Sequence, residues 1–168
     1  MNHCRSFPPI TTPHARLLIL GSMPGVASLQ AQQYYAHPQN QFWPIMGALL
    51  SFDPQISYTE RCARLETAGI AVWDVLQSCE RAGSLDADID PRSSVPNDFS
   101  AFFATHPLIQ RVCFNGATAE QIFRQQKMDL PELELIRLPS TSPAHAGMQR
   151  EIKLARWREA ITLASVSR

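Results

Sequence analysis

A chain of 168 residues with 15 basic and 15 acidic side chains suits one domain large enough to bury a real core. Its 45% hydrophobic content excludes disordered and fibrous classes, and no apolar run approaches the ~20 residues of a membrane span. Zero formal charge counts against tight non-specific nucleic-acid binding but does not exclude it, because basic groups can gather on one face.

Residues 1 to 14, with Pro8, Pro9 and Pro13, read as an extended arm. The stretch Arg16 to Gly21 is a short apolar run closed by glycine, the pattern of a buried strand. Helices are expected from Asn40 to Leu50 and from Tyr58 to Ala68, the second closed by Gly69. Ile70 to Val75 is the next strand, and a polar, loop-like stretch follows through Pro96. Asn97 and Asp98 can cap a helix running to Thr105 and ended by His106-Pro107.

A third strand is expected over Arg111 to Phe114, then a helix from Thr118 to Lys127, and a fourth strand over Leu133 to Leu138. The last helix should run from Gly147 to Leu163, with Leu154, Trp157, Ile161 and Ala164 as its packing stripe. Strands alternating with helices predict a three-layer α/β/α domain around a mainly parallel, four-stranded sheet, spanning residues 1 to 168 as one unit. No linker or repeat divides the chain. The start of the chain lacks the pattern of a secretory leader, so a soluble, cytoplasmic and monomeric protein is expected. Cys4, Cys62, Cys79 and Cys113 form no CxxC pair or Cys/His ligand spacing, which predicts reduced thiols, no metal and no cofactor.

Parallel sheets bind ligands beyond the carboxyl ends of their strands. Three loops of unusual chemistry fall there: Gly21-Ser22-Met23-Pro24-Gly25, Asn115-Gly116, and Pro139-Ser140-Thr141-Ser142-Pro143. The first allows close backbone approach to a ligand, although it is no phosphate-binding fingerprint. Soon after it comes Tyr34-Tyr35-Ala36-His37-Pro38-Gln39-Asn40-Gln41-Phe42-Trp43, dense in rings and polar groups for a segment entering a helix. Pro38 should occupy the first helical turn and place Asn40 near the helix N-terminus. Phe42 and Trp43 read as core anchors. Asp74, the one carboxylate in a strand candidate, reads as a structural hydrogen-bonding group or a general base. His37 could touch a ligand or fix the Tyr35 loop.

The segment from Gly21 to Trp43, with its His37-Pro38-x-Asn40-x-Phe42-Trp43 piece, resembles the first motif of the uracil-DNA glycosylase superfamily. Mismatch-specific uracil- and thymine-DNA glycosylases carry Gly-x-Asn-Pro-Gly in the turn, whose asparagine positions the hydrolytic water. Here Met23 stands at that place, and a thioether cannot orient water as an amide does. In this respect the chain is most similar to the hypoxanthine-DNA (deoxyinosine) glycosylase branch. The similarity continues through Gly69 to Cys79, Arg81-Ala-Gly-Ser-Leu85, Phe114-Asn-Gly116 and Leu138-Pro-Ser-Thr-Ser-Pro-Ala-His145.

The resemblance implies an enzyme acting on double-stranded DNA that contains a deaminated base. It makes Asn40 the catalytic amide. It also implies that Gly21 to Gly25, Tyr35, His37, Asp74 and Asn115 form the substrate pocket. Ser140, Thr141, Ser142, Pro143, Ala144 and His145 would contact DNA. The residue chemistry agrees: an extruded base needs an aromatic platform such as Tyr35 and an amide such as Asn115 to read its edge. No lysine is placed for Schiff-base chemistry, so hydrolysis leaving an abasic site is expected. Two alternatives are a uracil- or mismatch-directed glycosylase and a catalytically silent DNA-binding domain. Arg150, Lys153, Arg156 and Arg158 of the last helix are expected to face the DNA backbone, making binding salt-sensitive.

Overall fold

The computed structural model describes residues 2–166, with side chains through Thr162. Its central sheet has four parallel strands: β2 (Leu17–Gly21), β3 (Ile70–Asp74), β6 (Arg111–Asn115) and β7 (Glu134–Leu138), in the order β3-β2-β6-β7. β2 is buried along its whole length, as a parallel strand covered on both faces must be. Its side chains alternate between two cores. Leu17 and Ile19 meet Phe42, Trp43, Met46, Leu65 and Trp157, from α2 (Phe42–Leu50), α3 (Tyr58–Thr67) and α6 (Arg150–Val166). Leu18 and Leu20 meet Phe99, Phe102, Phe103 and Phe123, from α4 (Phe99–Thr105) and α5 (Ala117–Gln125) on the opposite face. This is the expected three-layer arrangement.

Register decides what meets at the carboxyl edge. Gly21 pairs with Asp74, Leu20 with Phe114, and Asn115 with Leu138, so Gly21, Asp74 and Asn115 end their strands side by side. Ser57 starts α3 with a capping box: its hydroxyl accepts the Glu60 amide while the Glu60 carboxylate accepts the Ser57 amide. Asp98 caps α4 by accepting the Ala101 amide at 3.0 Å, as its position before the apolar run predicts. His106 closes that helix, its ring 2.8 Å from the Phe102 carbonyl and stacked on the Phe102 ring.

Four expectations need correction. Residues 1 to 14 are no free arm: β1 (Asn2–Arg5) pairs antiparallel with β4 (Leu76–Arg81), and Ile10 bridges to Val72. The stretch from 76 to 96 is not all loop, since β4 and β5 (Val95–Pro96) complete a three-stranded antiparallel sheet with β1. Cys79 and Arg81 turn inward on β4, and an inward arginine hides the strand pattern. A short helix, α1 (Val26–Ala31), follows the first loop and carries little apolar periodicity. Finally, α2 begins at Phe42, so Pro38 sits four residues before the first helical position and outside the first turn. It lies in a tight turn in which the Asn40 amide donates to the His37 carbonyl at 2.9 Å. Leu154, Trp157 and Ile161 pack as predicted on α6; the Ala164 side chain lies outside the described residues.

Candidate active site

A cavity of about 530 Å³ opens at the carboxyl edge of the parallel sheet. It gathers the Gly21–Gly25 loop, Tyr35, His37, Asn40, Asp74, Asn115 and the Ser140–His145 loop, but none of the four basic residues of the last helix. Ser84, Leu85, Asp86 and Ala87 also line it. Those four were missed; Leu85 closes a motif noted above, but nothing in its local pattern places the segment over the cavity.

The first loop is held with its carbonyls turned into the protein. The Val75 and Leu76 amides donate to the Gly21 and Ser22 carbonyls at 2.8 and 3.1 Å. The Arg81 guanidinium, buried beneath the loop, donates to the Pro24 carbonyl. Ser22 donates its hydroxyl to the Asp86 carboxylate at 2.5 Å. Met23 packs against Cys4, Leu76 and Cys79 under the small sheet, a nest for a thioether that would strand a buried amide. Its side chain is thus packed in that nest, while residues Gly21 to Gly25 line the cavity.

Tyr35 owes its position to Tyr34. The Tyr34 hydroxyl donates to the Pro8 carbonyl at 2.9 Å, the Trp43 indole donates to the Tyr34 carbonyl at 2.8 Å, and the Tyr34 amide donates to the Tyr58 hydroxyl at 3.1 Å. Fastened this way, the chain turns through a left-handed conformation at Tyr35 (φ 56°), a conformation L-residues adopt at a cost of about 1–2 kcal/mol. The Tyr35 ring then stacks on Phe42 with centroids 4.0 Å apart. Its hydroxyl reaches the space above Gly21, where a Cβ would stand 3.1 Å from it and 2.6 Å from Asp74 Oδ1. Glycine at position 21 is what lets these two polar groups converge.

Asp74 is 3% exposed, and its Oδ2 is buried without a hydrogen-bond partner. Burial pushes its carboxyl up to about 7, the Asp86 carboxylate adds to the rise, and the Arg81 cation partly offsets both. Burial, and then the Asp74 charge, raise the Tyr35 phenol well above its ordinary value, so it remains a hydroxyl donor. A protonation equilibrium near neutrality at a buried group in a cleft is the usual setting of acid–base chemistry.

Asn40 is half-buried at the cavity wall, and its Oδ1 accepts the Phe42 amide at 2.9 Å. That bond fixes the amide plane and leaves one Oδ1 lone pair and the side-chain NH2 group to act on a ligand. His37 is exposed, and its Nδ1 accepts the Gln39 amide at 3.1 Å, so the ring braces this turn while standing on the rim. Asn115 and Thr141 bond reciprocally, and the Gln41 amide donates to the Thr141 carbonyl at 3.0 Å. Asn115 thus anchors the Ser140–His145 loop as well as lining the cavity.

Of the four basic residues expected to face DNA, Lys153 does not. It is 1% exposed and donates to the His145 carbonyl at 3.0 Å, bracing the loop from behind. The Trp157 indole donates likewise to the Pro139 carbonyl at 3.0 Å. Arg150, Arg156 and Arg158 are exposed.

The family model of the Uracil DNA glycosylase superfamily matches residues 8–162, a span that contains every cavity residue named above. The chain belongs to the uracil DNA glycosylase superfamily. The family implies a DNA substrate. Among the superfamily members the chain is similar to, the hypoxanthine DNA glycosylase of Methanosarcina barkeri (strain Fusaro / DSM 804) is 37% identical over 113 residues. That alignment covers 67% of this chain and 70% of the relative. The hypoxanthine DNA glycosylase of Methanosarcina acetivorans is 35% identical over 116 residues, covering 68% and 72%. A solution NMR structure from M. acetivorans, described as a candidate uracil DNA glycosylase, superposes with a TM-score of 0.80. It shares 29% identity, over 98% of this chain and 99% of that one.

Proposed function

We propose that this superfamily member is a monofunctional DNA glycosylase that excises a deaminated purine, hypoxanthine, from deoxyinosine in double-stranded DNA. Two relatives above 30% identity are named for that activity. The observation that carries the assignment to this chain is the single cavity in which Asn40, Tyr35, Asp74 and the Gly21–Gly25 loop meet.

A base inside a duplex cannot reach such a cavity, so the nucleotide must first swing out of the stack. In the proposed complex the extruded base lies beside Tyr35 in the cavity, against the two polar groups that Gly21 lets converge. The bond between C1′ of deoxyribose and the base nitrogen then breaks, and the electron pair leaves with the base. Asn40 holds the water that adds to C1′ on the opposite sugar face, and the water's second proton passes to solvent. An amide is a weak base, so Asn40 acts by positioning, which its bond to the Phe42 amide supports. Loop amides beyond Gly21 and the Asp74 carboxyl, protonated below about pH 7, donate to the base as negative charge gathers on it. Hypoxanthine leaves as an anion more readily than adenine, so this assistance suffices.

Mass-spectrometric analysis of what is released from a duplex with one deoxyinosine tests the proposal. Free hypoxanthine, with the strand intact until alkali is added, is expected. Strand scission without alkali would rule out the monofunctional mechanism, and release of uracil alone from a deoxyuridine duplex would move the assignment to a uracil-directed enzyme.

A further inference from the structure

Cys4 on β1 and Cys79 on β4 stand directly opposite each other in the small antiparallel sheet. All four thiols of the chain are free, and the other two, Cys62 and Cys113, lie on α3 and β6. Opposed residues of an antiparallel pair point to the same face, with Cα atoms about 4.5–5.5 Å apart. A disulfide spans Cα separations of about 4.4–6.8 Å, so the register already meets its requirement. The Cys4 thiol donates to the Asn2 carbonyl at 3.5 Å, a weak bond that rotation about Cα–Cβ releases. Behind the pair sits Met23, packed on both cysteines and on Leu76.

The two thiols differ in access. A second cavity, of about 280 Å³, opens between the start of β1, α1 and the end of β4, and shares only Val26 with the active-site cavity. Cys4 lines it beside His3, Leu29, Gln30 and Arg81, whereas Cys79 is fully buried and does not reach it. The Arg81 guanidinium, whose Nε and Nη1 make no hydrogen bond, brings positive charge to this corner of the sheet. Positive charge favours a thiolate, the form that attacks an oxidant. Burial holds the Cys79 thiol above its ordinary value, and the Arg81 cation acts against that rise. Cys4 is therefore placed for the first attack, and Cys79 for the step that follows it.

We propose that Cys4 and Cys79 form an oxidative modification site, a dithiol that hydroperoxides entering the second cavity convert into a disulfide between β1 and β4. The Cys4 thiolate attacks one peroxide oxygen, breaking the O–O bond and giving a sulfenic acid. The other oxygen leaves as an alcohol, or as water from hydrogen peroxide, carrying the proton that Cys4 released. Cys79 sulfur then displaces the hydroxyl group from Cys4 Sγ, and its own proton leaves with that group as water. Two thiols lose two electrons, and the peroxide gains them. The link joins residues far apart in sequence, which restricts the unfolded chain and raises stability. It also secures the strand whose last residue, Arg81, holds the Pro24 carbonyl of the active-site loop.

Tryptic mapping without reduction, on full-length protein first reduced and then treated with hydrogen peroxide, tests the site. The expected product is a peptide of residues 1–5 joined to one of residues 65–81, lighter by two hydrogens than the sum and separated by dithiothreitol. Peroxide that leaves both thiols free, or drives Cys4 to a sulfinic acid with no link, would overturn the proposal. Links made chiefly to Cys62, to Cys113 or to a second molecule would overturn it too. Urea unfolding supplies a second reading. Treated wild type should unfold at a midpoint about 1 M above the reduced protein, and Cys79→Ala should show no rise on treatment. A link that forms but leaves the midpoint unchanged or lower would contradict a register ready to accept it. Neither measurement depends on which base the enzyme removes.

Discussion

Asn115 and Thr141 form a closed pair: the Asn115 side-chain NH2 donates to Thr141 Oγ1 at 2.9 Å, and the Thr141 amide donates to Asn115 Oδ1 at 2.9 Å. The pair joins the end of a parallel strand to the loop expected to meet DNA, and the Gln41 amide, one residue from Asn40, donates to the Thr141 carbonyl. Three parts of the site therefore share one buried threonine. Thr141→Val keeps the shape but leaves the Asn115 donor without its hydroxyl partner, at a cost of about 1–3 kcal/mol. Urea unfolding should show that loss, single-turnover cleavage should fall, and Thr141→Ser should recover both.

At Gly21 the constraint is space. An alanine Cβ would lie 2.6 Å from Asp74 Oδ1 and 3.1 Å from the Tyr35 hydroxyl, so both groups must move. Displacements near 1 Å at a reacting centre can cost on the order of a hundredfold in rate. Gly21→Ala is expected to show such a loss in single-turnover assays while its circular dichroism spectrum stays that of wild type.

Asp74 offers a test through pH. Its carboxyl titrates at about 7 in the fold, against an ordinary value of 3.8, because it is buried and faces Asp86, with Arg81 only partly compensating. Between these values the folded state holds a proton that the unfolded chain has released. Stability therefore falls as pH rises through that window and stays lowered above it. Asp74→Asn removes the penalty and should raise stability at pH 8 by a few kcal/mol, on the order of the raised pKa, with little change at pH 3. Cleavage by wild type should decline as pH rises through about 7, and the asparagine variant should lack that limb. Denaturation midpoints that move in parallel at both pH values would show that Asp74 is not held protonated.

The basic residues of α6 separate by salt dependence. Lys153 is engaged with the His145 carbonyl and buried, so Lys153→Met should leave the slope of log affinity against log salt unchanged while lowering thermal stability. Arg150 is exposed at the start of the helix. Arg150→Gln should flatten the slope by about 0.9 if it meets one phosphate. Fluorescence anisotropy on a labelled duplex over a salt series measures both.

These contrasts also mark what the sequence could reveal. β2, β3 and β6 were legible because each is a short, mostly apolar run, which is how a strand buried on two faces reads, whereas β7 interrupts its apolar residues with Glu134 and Arg137. The cavity loops were legible because they close those strands. The small antiparallel sheet was not, since β1 is mostly exposed and β4 turns a buried arginine inward, so neither shows clean alternation. The roles of Lys153 and Asp86 depend on partners far away in the chain, His145's loop and Ser22, and no local pattern announces them. Met23 was noticed as a departure, but only the pocket formed by Cys4, Leu76 and Cys79 explains why a thioether fits there.

The central claim, that this cavity hydrolyses deoxyinosine through Asn40, is tested most directly by alkali-revealed strand cleavage. Labelled duplexes carrying one deoxyinosine, one deoxyuridine or neither would be treated with wild type and Asn40→Ala side by side. The prediction is efficient cleavage at deoxyinosine, little at deoxyuridine, none in the control, and a loss of at least about a hundredfold in Asn40→Ala. Cleavage at deoxyinosine that survives in Asn40→Ala would remove Asn40 from the chemistry, and a duplex that is bound but never cleaved would make the protein a binding domain.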